Sequence, residues 1–231
     1  MLMDNESRNQ LQGILNDRMN DGVTLLCFTQ RQSQILLPKV PLCEGCSLTE
    51  ELLKEFAALH ARLTLQVVDF HADSDQVARY GVDKIPCIIV ADAQAVDRGI
   101  RFYGTPVGYE FASLVESVLD VSTGSTKLSD RIVKKLARVK KPIHVQVFVT
   151  PTCPYCPQVV RAAHQMALVN GHIRADMVEI QEFPHLAQKY GIMGVPKVVI
   201  NESGGVQGMV QDAVLMRHIL QAAGELGSGE E

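Results

Sequence analysis

Four of the six cysteines in this 231-residue chain fall into two CxxC pairs, Cys43-Glu44-Gly45-Cys46 and Cys153-Pro154-Tyr155-Cys156, set 110 residues apart. Two thiols at this spacing can close a disulfide and reopen it, which is the raw material of dithiol/disulfide exchange. The same offset relates Ile85-Pro86 to Val195-Pro196, so each pair is followed 43 residues later by an apolar residue and a proline. A chemical device repeated at one offset points to an internal duplication.

The exchange reaction needs a thiolate, and a free cysteine with a pKa of about 8.5 is largely protonated at neutral pH. Val159, Val160, Ala163 and Met166 follow the second pair at helical spacing. If that helix opens at Cys153, the sulfur faces unpaired backbone N–H groups and the positive end of the helix dipole. Pro154 suits the first helical position, because its missing N–H had no partner to lose, and Pro157 falls near the first turn, where it is tolerated. Cys153 is then the nucleophile, and Cys156, one turn on, is placed to resolve the mixed disulfide. The competing reading, half of a zinc site, lacks a second ligand pair nearby, since 106 residues lie between Cys46 and Cys153.

The first pair carries weaker signals. Glu44 sets a negative charge beside Cys43, which opposes thiolate formation, and Gly45 loosens the turn. Ser47-Leu48-Thr49-Glu50 has the form of a capping box, and a helix capped at Ser47 would leave Cys43 outside it. A redox-active dithiol, a structural disulfide, a metal site and an idle pair all stay open for Cys43 and Cys46. Cys87, next to Pro86, is either a third thiol near the first pair or a small buried strand residue, and Cys27 within Leu25-Leu26-Cys27-Phe28 reads as core. Lys197, next to Pro196, either lowers the pKa of Cys153 or faces solvent. His144, His164, His172 and His185 lack ligand spacing and read as surface or strand-end residues.

Each half must position its pair with the same elements. Strands are expected at Val23 to Thr29, Leu63 to Phe70, Cys87 to Ala91 and Gly99 to Gly104, with helices at 5 to 19, Glu51 to Arg62, Ser74 to Tyr80 and Glu110 to Val121. The order recurs from a helix at Ser129 to Val139 through strands at Ile143 to Thr150, Ala175 to Ile180, Lys197 to Asn201 and Val206 to Val210. Helices are expected after Cys153, at His185 to Tyr190 and at Ala213 to Ala223. Ser203-Gly204-Gly205 reads as the hairpin turn between the last two strands, and Ser122-Thr123-Gly124-Ser125-Thr126 as the linker. The domains are thus 1–122, with the CEGC pair, and 123–231, with the CPYC pair. About ten extra residues fall within Arg31 to Leu42, because Phe28 lies 15 residues before Cys43 but Phe148 only 5 before Cys153.

Composition narrows the partners. Hydrophobic residues make up 46% of the chain, enough for two cores, and the net charge of −4 without a basic cluster argues against nucleic acid. No apolar run reaches the roughly 18 residues of a membrane span, and the start lacks a basic and apolar leader, so a cytoplasmic location is expected. No G-x-G-x-x-G follows a strand, so no bound nucleotide cofactor is expected and electrons come from a partner.

The strand–helix–strand–helix–strand–strand–helix order, with CxxC at the first core helix and a proline before the third strand, resembles the thioredoxin fold. Two such units in one chain, with Cys-Pro-Tyr-Cys-Pro and Gly-Val-Pro-Lys in the second, resemble the tandem, glutaredoxin-like protein disulfide oxidoreductases. The resemblance implies an α/β architecture of two units, each a mixed four-stranded sheet flanked by helices and preceded by an extra helix. It implies cis peptide bonds before Pro86 and Pro196, which would turn the Ile85 and Val195 backbones toward an extended substrate. It further implies protein disulfides as substrates and recharging by an NADPH-dependent thioredoxin reductase. Glutaredoxins carry Thr-Val-Pro where this chain has Gly194-Val195-Pro196, and their Gly-Gly-Cys-Asp is missing, which speaks against glutathione. The rival expectation is a non-catalytic electron-relay or binding module of the same fold serving a peroxiredoxin-type system, against which the second CxxC weighs.

Overall fold

The computed structural model describes residues 2–30 and 42–226. The extra residues of the first half therefore lie outside the described residues, except Leu42. The first half runs α1 (Asn5–Arg18), β1 (Val23–Thr29), α2 (Cys46–Ala57), β2 (Leu63–Asp69), α3 (Ser74–Tyr80), β3 (Cys87–Asp92), β4 (Asp97–Tyr103) and α4 (Glu110–Thr123). The second repeats it as α5 (Asp130–Leu136), β5 (Ile143–Val149), α6 (Cys156–Val169), β6 (Ile173–Glu179), α7 (Pro184–Lys189), β7 (Lys197–Ile200), β8 (Gly204–Gln207) and α8 (Asp212–Ala223).

The four strands of each half are present as expected, and they join into one eight-stranded sheet of order β2-β1-β3-β4-β6-β5-β7-β8. The seam is the parallel pairing of β4 with β6, from Ile100 opposite Ala175 to Tyr103 opposite Val178. Each strand would be an exposed edge in an isolated unit, so the pairing removes two unpaired backbone rows at once. Burial records the difference. β6 is buried at six of its seven positions, whereas its counterpart β2, on the outer edge, is largely open.

Side chains alternate across the sheet and build two cores. On one face Leu25, Val90, Phe102 and Val147 pack under α1, α2, α4, α5, α6 and α8; on the other Phe28, Ile89, Phe148 and Val199 pack under the short α3 and α7. The halves also meet through α4 and α6, where Arg161 lies 3.0 Å from Glu116 and Gln165 donates to Asp120 at 2.9 Å.

Two turn expectations are corrected. Ser122 and Thr123 belong to α4, and the buried Ser122 hydroxyl donates to the Asp21 carbonyl at 2.6 Å, so the open connection begins at Gly124, whose φ of 62° ends the helix. The last hairpin turns on Asn201-Glu202-Ser203, while Gly204 and Gly205 enter β8. Gly205 is needed within the strand because a Cβ there would run into the Val198 carbonyl.

Candidate redox site

Both pairs are closed as disulfides, with Cα atoms 5.4 Å apart for Cys43–Cys46 and 5.5 Å for Cys153–Cys156. In each, the second cysteine is the first residue of a helix and the first stands in the turn before it. The capping box at Ser47 does not form; the cap is Gly45, and Ser47 is the second residue of α2. Nor does Pro154 open a helix: it lies in the turn, and Pro157 takes the early helical position. The first pair thus has the same relation to its helix as the second. Bonded to the sulfur at the helix start, Cys43 and Cys153 are held where the unpaired N–H groups of the first turn concentrate positive potential.

Exposure separates the two members of each pair. Cys156 is 0% exposed and Cys46 1%, against 8% for Cys153 and a half-buried Cys43. An incoming sulfur meets the N-terminal cysteine first. At the first site the Gln30 N–H donates to Cys46 Sγ at 3.3 Å, and the Gln30 side chain accepts from the Cys43 N–H at 2.8 Å.

The peptide bonds before Pro86 and Pro196 are both cis. The Pro86 carbonyl accepts from Gly104 N–H at 3.0 Å and the Pro196 carbonyl from Gly208 N–H at 2.8 Å, so both proline loops are tied alike to the next segment. Cys87 and Lys197 follow them at the starts of β3 and β7. Cys87 is fully buried and burial raises its pKa; Cys27, equally enclosed, is pushed up to about 12. Both remain neutral thiols in the core. Lys197 is half-buried.

Three acids that the sequence did not single out stand near the pairs. Glu110, first in α4, is 2% exposed; burial pushes its pKa up to about 7, against a smaller opposing effect of Ser113. Neither of its buried carboxylate oxygens has a hydrogen-bond partner among the described residues. The preceding Tyr109 N–H donates to the Pro151 carbonyl at 3.1 Å, which places Glu110 beside the loop leading to Cys153. Near the first pair stand Glu179 and Glu182, from the second half. Glu182 Oε1 accepts from the Thr105 N–H at 2.5 Å, and Glu182 Oε2 is buried against Gly45, where an added Cβ would collide with it. Gly45 has an ordinary φ of −79°, so the glycine serves this close approach and not a left-handed turn. Thr105 completes the contact, its hydroxyl 2.9 Å from that of Thr49. Each pair is therefore walled in part by the other half of the chain, an arrangement that local sequence spacing does not disclose.

β1, β4, β5 and β6 run in one direction, so both pairs lie at the same edge of the sheet. Four strand-to-strand steps separate β1 from β5, which at about 4.8 Å each puts the sites roughly 19 Å apart. At that separation the two disulfides are not in contact. Four exposed large apolar residues gather on segments adjoining the second pair: Tyr155 between its cysteines, Tyr109, Met193 just before Val195, and Met209 after Gly208.

The histidines divide. His172 and His185 are exposed as expected, and His144 is half-buried on the sheet, with Nε2 2.6 Å from Asp176 Oδ2. His144 and His172 line an open cleft of about 610 Å³ that includes Ile143 and Ile173, the first residues of β5 and β6, at the sheet edge opposite both cysteine pairs. His164 is not a surface residue: it is 2% exposed, 4.8 Å from the Phe102 ring and 3.1 Å from the Ser117 hydroxyl, and burial lowers its pKa to about 4. No cluster of three or more potential metal ligands occurs among the described residues, and no described helix is long and apolar enough to cross a membrane.

Comparison with known proteins sets this geometry in context. The thioredoxin domain family matches residues 143–221. The chain is 30% identical over 178 residues to an alkyl hydroperoxide reductase component of Staphylococcus epidermidis, an alignment covering 76% of this chain and 32% of that protein. It spans about a third of the length of the curated relatives it matches. The solved structure of the alkyl hydroperoxide reductase AhpF from Enterococcus faecalis superposes with a TM-score of 0.84 at 30% identity, covering 95% of this chain and 100% of that one. A protein disulfide oxidoreductase from Aeropyrum pernix superposes with a TM-score of 0.85 at 27% identity, covering 99% and 97%.

Proposed function

This chain belongs to the tandem thioredoxin-fold proteins, and we propose that within them it acts as a protein disulfide oxidoreductase whose main nucleophile is Cys153. The observation that carries this reading is the second site itself: a slightly exposed sulfur just before a helix, a fully buried partner at the helix start, a cis proline immediately before β7, and exposed Tyr and Met side chains on the adjoining segments. Such side chains suit a protein substrate, because aromatic and thioether groups contact varied apolar surfaces.

In the proposed cycle the Cys153 thiolate attacks a substrate disulfide, forming a mixed disulfide and releasing one substrate sulfur as a thiolate, which takes a proton. Cys156 then gives up its proton, attacks Cys153 and expels the second substrate sulfur. Glu110, with a pKa near neutrality, is the proposed acceptor for that proton at the second site. Two electrons from a partner dithiol reopen Cys153–Cys156. The chain holds no nucleotide-binding motif, so we assign this step to a separate or neighbouring reductase, an NADPH-dependent thioredoxin reductase being one candidate.

The likeness to the alkyl hydroperoxide reductases favours a second reading, an electron relay that serves a peroxiredoxin-type partner. Both readings use the same cysteines, and the acceptor separates them. Supplied with NADPH and a thioredoxin reductase, the protein should reduce insulin in a turbidity assay, and a Cys156→Ser variant should accumulate a mixed disulfide with the substrate. Activity confined to a peroxiredoxin disulfide would select the relay. Full insulin reduction by Cys153→Ser would remove the second site from the mechanism.

A further inference from the structure

We propose that Glu182, contributed by the second half of the chain, is a positioning residue that holds down the thiolate content of the Cys43–Cys46 pair. The inference rests on reading that pair as a working dithiol. Three observations carry it. Glu182 Oε2 is buried without a hydrogen-bond partner among the described residues and points at Gly45, the residue before Cys46. Its other oxygen is anchored by the Thr105 N–H. Gly45 is the one residue type that leaves room for the carboxylate, while the second pair carries Tyr155 at the same place, 60% exposed.

The reduction step shows why the charge matters. An external dithiol attacks the more accessible Cys43 sulfur, the Cys43–Cys46 bond breaks, and Cys46 leaves as a thiolate. The second external thiol then attacks the mixed disulfide and frees Cys43, so two electrons and two protons pass from the external dithiol to the pair. The charge on Cys46 develops beside the carboxylate. Gln30 N–H and the start of α2 favour it, and the Glu182 carboxylate, seated against the residue before Cys46, opposes it. The other charged groups here largely offset one another: Glu44 in the turn is exposed, Glu179 beside Glu182 has its pKa raised by burial, Glu50 on α2 is paired with Lys54, and Lys84, over the Tyr103 ring at the end of β4, is paired with Asp83. The first pair is thereby a slow thiol at neutral pH, with a carboxylate anchored over its turn residue Gly45, where the second pair has the exposed Tyr155.

The test follows iodoacetamide alkylation of each cysteine against pH in the fully reduced full-length protein, read by peptide mass. In Glu182→Gln, the pH midpoint for Cys43 and Cys46 should fall and their alkylation at pH 7 should rise about three- to tenfold, a tenfold rise matching one unit of pKa. Cys153 should not change, and Glu182→Asp should stay near the parent. Gly45→Ala, which evicts the carboxylate, should reproduce the shift and add nothing on top of Glu182→Gln. A faster rate at every pH with an unmoved midpoint would mean that Glu182 only tightens packing, and would overturn the proposal; so would an equal shift at Cys153. The assay uses no substrate, so a failure to reduce insulin leaves this inference standing, and an unmoved midpoint leaves the proposed function of Cys153 standing.

Discussion

The two cysteine pairs share a turn, a helix start and a cis proline, yet they differ in what surrounds them. Cys153 and Cys156 pack into an apolar cluster with Val159 and Val160, with Glu110, near neutrality, beside the loop leading to Cys153 and exposed Tyr155, Met193 and Met209 on segments adjoining the pair. Around Cys43 and Cys46 the surroundings are acidic, and Glu182 reaches across from the other half of the chain. A duplicated device has been kept in form and set in two electrostatic environments. Thiolate content follows environment more than motif, so the CxxC spacing alone says where exchange is possible and the neighbours say how readily it runs.

The sharpest way to break this comparison is to remove each nucleophile in turn. Cys153→Ser should lower insulin reduction by at least about tenfold, down to what the slower first pair supports, because the covalent nucleophile of the second site is lost. Cys43→Ser should lower it less than tenfold if the second pair does most of the work. Steady-state turbidity rates for the two variants decide the matter, and equal losses would make the sites serial partners.

Much of this was legible in the sequence because it is periodic and local. The repeat at 110 residues located both pairs, both prolines and the element order, and the structure returns Ser74–Tyr80 and Val23–Thr29 with the boundaries that the apolar pattern suggested. What escaped was long-range. Pairing of β4 with β6 depends on two edges finding each other, and nothing in the β6 segment from Ile173 to Glu179 names its partner strand. Gly45 reads locally as a loose turn, whereas its reason is a carboxylate 137 positions away in sequence. His164 looks like a surface residue on a helix until α4 of the other half closes over it. Helix starts failed for a smaller reason: strong signals at Ser47 and Pro154 were outweighed by the disulfide turn, which fixes the first helical residue at the second cysteine.

Titration sharpens the comparison from the side of stability. Glu110 has a folded pKa of about 7, above its ordinary 4.5, so the folded state binds the extra proton and stability falls as pH rises from 4.5 through 7. The loss should approach about 3 kcal/mol by pH 8. His164 works in the opposite direction: with its pKa lowered to about 4 from 6.5, the unfolded state takes the proton first, and a similar amount is lost as pH falls from 6.5 to 4. Urea melts across pH 4 to 8 should show Glu110→Gln flattening the alkaline limb and His164→Gln the acid limb. A Glu110→Gln limb as steep as the parent's would show that this carboxyl is not the buried acid, and would weaken its proposed role in proton transfer to the second pair.

The smallest effects come from the middle residues of the two turns, and they separate packing from recognition. Gly45→Ala forces a Cβ into the Glu182 carboxylate and should cost about 1–3 kcal/mol, the usual range for overpacking. Tyr155→Ala touches an exposed side chain and should change stability by less than about 0.5 kcal/mol. Function should respond in the reverse order. Tyr155 stands exposed between the cysteines, so its loss should raise KM for insulin severalfold with kcat little changed, the pattern of lost uniform binding. Gly45→Ala should leave KM alone, because its side chain lies against the other half of the protein and away from any docked partner. A KM raised equally by both substitutions would mean that substrates reach across both sites at once, and the roughly 19 Å between them would then measure a footprint and not a separation.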